Sequence, residues 1–185
     1  TFMWCIKACG NMGAFDKGRE MHFDSVLRGF DRDPSLSSSL LDMYAKLSLL
    51  LDARYIFEKL ESCDVTSWNT MIKAYGINQQ SEIAISLFKR MREVGVKSDA
   101  ATFSCFLKAC SRASLIRESC EVFRRMVEEN MCTNDHMSCM LDVLARAGLI
   151  EEARKLLQTV PCSPSSEVWR ILLTGCKTHT DMALL

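Results

Sequence analysis

Apolar residues recur along the chain at i, i+3, i+4 and i+7, the spacing that puts one buried stripe on an α-helix. Ile83, Leu87 and Met91, beside Ala84 and Phe88, show it well. The stripes come in pairs separated by short polar or glycine breaks. Phe2, Trp4, Cys5, Ile6 and Cys9 predict a first helix, and residues 15–27 its partner. SSSLLDMYAKL pairs with DARYIFEKL, TFSCFLKAC with SCEVFRRMV, and SCMLDVLARAG with EEARKLLQTV. A further helix begins in EVWRILLTGCK, after Pro161 and Pro164. Asp33-Pro34 is a helix start: Asp caps well, and Pro fits the first turn, where its missing N–H would have had no partner. Gly29-Phe30 is a helix end.

The pairs are copies of one unit. In the first helices, Cys9, Tyr44, Tyr75, Cys110, Leu144 and Cys176 follow one another at steps of 35, 31, 35, 34 and 32 residues. In the second helices, the small residues Gly18, Ala53, Ala84, Ser119 and Ala153 step by 35, 31, 35 and 34. Two registers on different helices share one irregular series, which is the mark of a repeat. A hairpin of this size cannot cover its own apolar faces, so it must stack on its neighbours. The expected architecture is all-α: a right-handed α-solenoid of stacked antiparallel helix pairs, its first helices lining one side. The small residues let the two helices of a pair approach closely. The units are taken as 1–33, 34–64, 65–99, 100–133 and 134–165, with 166–185 opening another. The deficit of the 34–64 unit falls at its end, where Glu61-Ser62-Cys63-Asp64 replaces a longer tail.

Composition narrows this little. The chain has 185 residues, 23 basic and 23 acidic, so formal net charge is zero. That weighs mildly against nucleic acid, though a groove can be basic on a neutral protein. The ten cysteines sit mostly at apolar helical positions without C-x-x-C pairs, and only His22, His136 and His179 could join them as ligands. They read as buried or half-buried thiols of a reducing compartment, with no metal or other cofactor. No apolar run approaches the roughly 20 residues that span a membrane. Thr1-Phe2 already lies inside a repeat, and the chain reads as a fragment or a truncated reading frame in which no targeting peptide is present.

WNTMIKAY followed by AISLFKRM and GVKSD resembles a pentatricopeptide repeat. The 35–31–35 order, with LLDMYAK in the short unit, resembles the plant PLS subclass: long at 1–33, short at 34–64, standard at 65–99, long at 100–133 and short at 134–165. MLDVLARAGLIEEA running into VWRILLTGC is similar to the last short repeat and the E extension, here 166–185. Cys63 departs from the usual apolar-basic pair, and the fourth unit has a shortened tail.

The resemblance implies sequence-specific binding of single-stranded organelle RNA, one base per repeat. Two side chains per unit would read the base, one early in the first helix and one closing the repeat. Mapped here the pairs are Met3 with Asp33, Ser38 with Asp64, Asn69 with Asp99, Ser104 with Thr133, and Ser138 with Ser165. Asn69 with Asp99 implies a pyrimidine, uridine preferred, and Ser38 with Asp64 a purine, guanosine preferred. Met3 leaves its unit permissive, and the last two pairs match no assigned code. Asp33, Asp64 and Asp99 are equally good helix N-caps, so capping alone accounts for them locally. Lys46, Arg112 and Arg146 recur in phase as phosphate contacts, with Lys7, Lys73 and Lys108 as a second row one turn earlier; a solvated charged face would carry the same residues.

No catalytic constellation is present. A deaminase of this family would need H-x-E with a later C-x-x-C to hold zinc and activate water, and neither occurs. The resemblance, through its E-like tail, implies non-enzymatic recognition of a cytidine-to-uridine editing site in mitochondrion or chloroplast, with the deaminase supplied by a partner protein and no small-molecule substrate. Two alternatives stay open. One is an RNA factor for splicing, stability or translation; the other is a tetratricopeptide-like protein-binding scaffold.

Overall fold

The computed structural model describes residues 2–30, 33–129, 131–159 and 170. Among them are ten α-helices and no strand: α1 (Phe2–Met12), α2 (Phe15–Leu27), α3 (Pro34–Lys46), α4 (Leu50–Lys59), α5 (Val65–Ile77), α6 (Ser81–Glu93), α7 (Ala100–Ala113), α8 (Ile116–Glu128), α9 (Asn134–Arg146) and α10 (Ile150–Thr159). They fall into two compact units, Thr1–Lys97 with α1–α6 and Ser98–Leu185 with α7–α10.

Each described hairpin turns through one residue in the left-handed region: Gly13, Ser48, Gln79, Ser114 and Gly148, with φ between 54° and 74°. The next residue's N–H then bonds a carbonyl five residues back, as Leu49 does to Tyr44 (3.0 Å) and Leu149 to Leu144 (2.9 Å). This is the glycine-type helix stop, which satisfies carbonyls the helix end would leave orphaned. The five acceptors are Cys9, Tyr44, Tyr75, Cys110 and Leu144, the residues that carry the repeat register in the sequence. Gly29 stops α2 in the same way, Phe30 N–H bonding Ser25 O at 3.0 Å.

In the first unit α1 packs on α2 and α3, α3 on α4 and α5, and α5 on α4 and α6. In the second, α7 packs on α8 and α9, and α9 on α8 and α10. A first helix thus has neighbours on several sides and buries more of its surface. α3 buries Leu36, Ser39, Leu40, Leu41, Met43 and Tyr44, whereas its partner α4 buries only Ala53, Ile56 and Phe57. Each large apolar side chain so buried contributes roughly 1.5–3 kcal/mol over an exposed one.

The small residue of each second helix sits at the tightest point. Ala53, Ala84, Ser119 and Ala153 are fully buried. A Cβ on Gly18 would come within 2.7 Å of Met43 Sδ and 3.6 Å of Cys9 Cβ, so this position faces both its own first helix and the next. Gly10 is more constrained, because there the obstacle is backbone, Met43 Cα at 3.0 Å. Met43 fills the space both glycines leave.

The thiols follow the sequence reading only in part. Cys9, Cys110 and Cys139 are buried and Cys63, Cys105 and Cys132 half-buried, but Cys5 and Cys120 are exposed. All eight are free, and no group of three or more His, Cys, Asp or Glu among the described residues could hold a metal. Burial pushes the Cys110 thiol up to about 12 and Cys139 to about 11.

Two stability measurements probe this fold. Ser48, Gln79 and Ser114 hold the left-handed turn without being glycine, a conformation that costs an L-residue about 1–2 kcal/mol. Gln79→Gly should raise the unfolding free energy by about 0.5–1 kcal/mol, the relief being partly offset by a freer unfolded chain, and Gly148→Ala should lower it by about 1 kcal/mol in urea titrations. The second concerns His22, whose Nδ1 shares a 2.7 Å hydrogen bond with the Tyr44 hydroxyl, tying α2 to α3. Burial holds the imidazole below its ordinary value, against the pull of Asp52 and with help from Lys59 and Arg19. The unfolded chain therefore takes up this proton first as pH falls. The His22 contribution is complete above the unfolded value of about 6.5 and is lost as pH drops from there toward the folded value. Melting temperatures between pH 7.5 and 5.5 should fall, and His22→Gln should flatten that slope.

Candidate nucleic-acid interface

The starts of the first helices carry the residues that close the preceding repeats, and the three aspartates among them act as side-chain caps. Asp33 Oδ1 accepts from Ser35 N–H (2.9 Å) and Leu36 N–H (3.4 Å). Asp64 Oδ1 accepts from both the N–H (2.8 Å) and the hydroxyl (2.7 Å) of Ser67. Asp99 repeats that arrangement with Thr102, at 2.7 and 2.8 Å, and Thr102 Oγ1 accepts the Asp99 N–H in return at 3.1 Å. Thr133 N–H donates to Nδ1 of His136 at 3.1 Å. Second helices differ: Ala14, Leu49, Gln80 and Leu115 provide no side-chain cap. Side-chain capping is therefore real at the three aspartates, whereas at Thr133 the His136 ring accepts the N-cap N–H instead. It occupies a single oxygen of each aspartate, and for Asp64, which is exposed, Oδ2 has no hydrogen-bond partner among the described residues.

The residues expected early in the first helices are accessible to differing degrees. Met3 and Ser38 are exposed, while Asn69, Ser104 and Ser138 are half-buried. The Ser38 hydroxyl donates to Pro34 O (2.9 Å) and that of Ser138 to Asn134 O (3.0 Å). Both protons are used within the helix, which leaves each oxygen as an acceptor. In the first unit Ser38 and Asp64 stand at the starts of α3 and α5, which pack together. Asn69 lies in the first unit and Asp99 in the second. Ser165 and the 166–185 segment, Arg170 apart, lie outside the described residues.

The cations of the first phased row are exposed but partnered. Lys46 Nζ lies 2.7 Å from Asp42 Oδ2 and donates to Asn11 Oδ1 on α1 at 2.9 Å. Arg146 Nε donates to both carboxylate oxygens of Asp142, at 3.1 and 3.0 Å. Asp142 also accepts a short bond from the Ser111 hydroxyl on α7. The two aspartates occupy the register of the second lysine row, Lys7, Asp42, Lys73, Lys108 and Asp142 following one another at the repeat steps.

In the second unit these residues line one groove of about 440 Å³ between α7 and α9. Its walls carry Lys108, Arg112 and Arg146 with Asp135 and Asp142, and Ser138, Ser111 and Cys139 complete it. Four sequence-derived candidates (Lys108, Arg112, Arg146 and Ser138) thus meet on one surface, whereas Ser104 and Thr133 do not line it. Asp142 and Ser111 were not anticipated. The signal for Asp142 was present: an acid four residues before a base in LLDMYAK and again in MLDVLAR, the spacing of a helical ion pair.

Comparison with known proteins bears on what this surface is. A sequence model of the PPR repeat family matches residues 63–112, and one of the PPR repeat matches 36–65, 101–131 and 136–160. The chain belongs to the pentatricopeptide repeat family. It is 38% identical over its whole length to the Arabidopsis thaliana pentatricopeptide repeat-containing protein DOT4, chloroplastic, of which it covers 21%. The crystal structure of the maize pentatricopeptide repeat protein PPR10 matches 95% of the chain with a TM-score of 0.79 at 18% identity, the chain covering 26% of it. PPR10 in complex with an 18-nt psaJ RNA element matches 78% of the chain with a TM-score of 0.67 at 26% identity, the chain covering 22% of it. The all-helical solenoid fold expected from the repeats is thus shared with pentatricopeptide repeat structures. The chain spans a fifth to a quarter of the length of the first curated relatives it matches.

The caps can be tested directly. Asp64→Ala should lower the unfolding free energy by about 1 kcal/mol, and Asp64→Asn by only a few tenths, in urea titrations followed by circular dichroism.

Proposed function

We propose that these pentatricopeptide repeats bind single-stranded RNA sequence-specifically in a plant organelle, chloroplast or mitochondrion. The observation that carries the reading is the α7–α9 groove, where Lys108, Arg112 and Arg146 outnumber Asp135 and Asp142 and share one surface with Ser138. Cations beside a hydroxyl acceptor on a first helix have the ingredients of backbone contact plus base readout. The bound RNA of PPR10, a relative with the same fold, supports it, as does the chloroplastic name of DOT4 for the compartment.

The base-reading pairs in this proposal are those of the sequence analysis, with Ser38 and Asp64 preferring guanosine. Capping does not compete with that role, because Asp64 caps with one oxygen and keeps the other for a base. The phosphate contacts are Arg112, Arg146 and Lys46. Asp142 and Asp42 compete with phosphate for the last two, so binding exchanges one anion for another and gains less than a free cation would give. We further assign the chain to the PLS subclass with an E-type extension from 166, and to recognition of a cytidine-to-uridine editing site whose deaminase is a partner protein.

RNA selection with the complete protein tests the reading. An enriched tract with guanosine at the position that Asp64→Ala abolishes is the expected result; a pool that stays random overturns it. Arg112→Ala should weaken binding to all sequences alike and reduce the slope of log K against log salt by about 1. A loss confined to some sequences would make Arg112 a base reader instead.

A further inference from the structure

An acid lines the α7–α9 groove at a place where most repeats carry a base. Lys7, Asp42, Lys73, Lys108 and Asp142 share one register, and only the 34–64 and 134–165 units put a carboxylate there. A fixed anion repels phosphate. A groove for nucleic acid gains from one only where the ligand brings a proton donor to it.

Asp142 is held more firmly than Asp42. The ion partner of Asp42 is Lys46, at 2.7 Å. Across the repeats the register of Ser111 reads Gly10, Ala45, Gly76, Ser111 and Ala145, so of these five Ser111 alone carries a hydroxyl. Ser111 is 4% exposed and donates across the repeat boundary to Asp142 Oδ2. Arg146 Nε spans both oxygens of the same carboxylate, at 3.1 and 3.0 Å. Asp142 nevertheless keeps 30% of its side-chain surface open and lines the groove.

A phosphate that takes Arg146, as in the reading above, removes the guanidinium from Asp142. The carboxylate then stays in place on Ser111, with three of its roughly four lone-pair sites empty. Single-stranded RNA offers two kinds of donor for them, base N–H groups and the ribose 2′-hydroxyl. Lys108 and Arg112 line the groove together with Arg146, so its cations draw in the backbone. The 2′-hydroxyl is the donor that the backbone carries between successive phosphates.

We propose that Asp142, positioned by Ser111, accepts the 2′-hydroxyl of a nucleotide whose flanking phosphate engages Arg146, so that this groove selects ribose over deoxyribose. The inference rests on the RNA-binding reading and adds a sugar contact to its base and phosphate contacts. Deoxyribose leaves the carboxylate beside a phosphate with no donor.

The test uses the complete protein and the tract it enriches from a random RNA pool, synthesised with one 2′-deoxy or one 2′-fluoro sugar at each position in turn. Fluorine keeps the ribose pucker but cannot donate. One position should lose about tenfold in affinity with either sugar, the worth of a hydrogen bond to a charged acceptor. Asp142→Ala should shrink that penalty below about twofold, and Ser111→Ala should shrink it too, because the carboxylate is no longer held. Asp142→Asn keeps an uncharged acceptor and should retain a penalty of about threefold. A weakened fold would lower affinity for every oligonucleotide alike and leave the ratio unmoved, so a penalty that persists in Asp142→Ala overturns the assignment. A tract without a sugar-sensitive position overturns it as well. So does a penalty from the deoxy sugar but not the fluoro one, which reports pucker, or a shift of base preference in Asp142→Ala, which makes the acid a base reader. Each of these outcomes leaves RNA binding intact. A pool that stays random with the unaltered protein removes the RNA reading and this inference with it.

Discussion

One backbone hydrogen bond closes every described hairpin. It runs from the residue after the left-handed turn to the carbonyl of Cys9, Tyr44, Tyr75, Cys110 or Leu144. Because it fixes where the first helix stops and how the chain reverses, it also fixes which residue of the second helix meets the first. That residue must be small, and it is Gly18, Ala53, Ala84, Ser119 or Ala153 in the five pairs. The unit that is shorter by four residues leaves turn and contact untouched, since its deficit lies after the second helix. Repeats of unequal length can therefore stack with the same core geometry.

The candidate RNA-facing residues are built from the same economy. An aspartate at the start of a first helix caps it through one oxygen, as Asp33, Asp64 and Asp99 each do through Oδ1. A serine one turn into the helix spends its proton on a carbonyl and shows an acceptor. The exposed row is likewise self-neutralised: Lys46 and Arg146 each face an aspartate four residues earlier, at a register where the other units carry Lys7, Lys73 and Lys108. In the α7–α9 groove Lys108, Arg112 and Arg146 stand beside Asp135 and Asp142, so its cations outnumber its acids by one.

Much of the fold was legible from residue order alone. The helix stripes, the two registers and the Asp33-Pro34 start all depend on interactions within about five residues, or on a contact repeated identically in every unit. Less was legible at the candidate site. Capping by Asp33, Asp64 and Asp99 was foreseeable from local chemistry, and sequence order could not separate it from readout because both call for the same residue at the same place. The left-handed turns at Ser48, Gln79 and Ser114 escaped notice because those residue types are unremarkable; only the glycines at Gly13 and Gly148 mark the position.

What the sequence determined by itself is the repeat: its period, its all-helical character and the small residue that lets helices meet, since each is enforced by apolar periodicity and sterics copied along the chain. Only the tertiary structure decided which polar groups remain available. The bond from Ser111 to Asp142 spans 31 residues, and that from His136 to Ala100 spans 36. A side chain's hydrogen-bonding character depends on where its proton goes, and that is set by a neighbour which packing, not sequence order, brings within 3 Å.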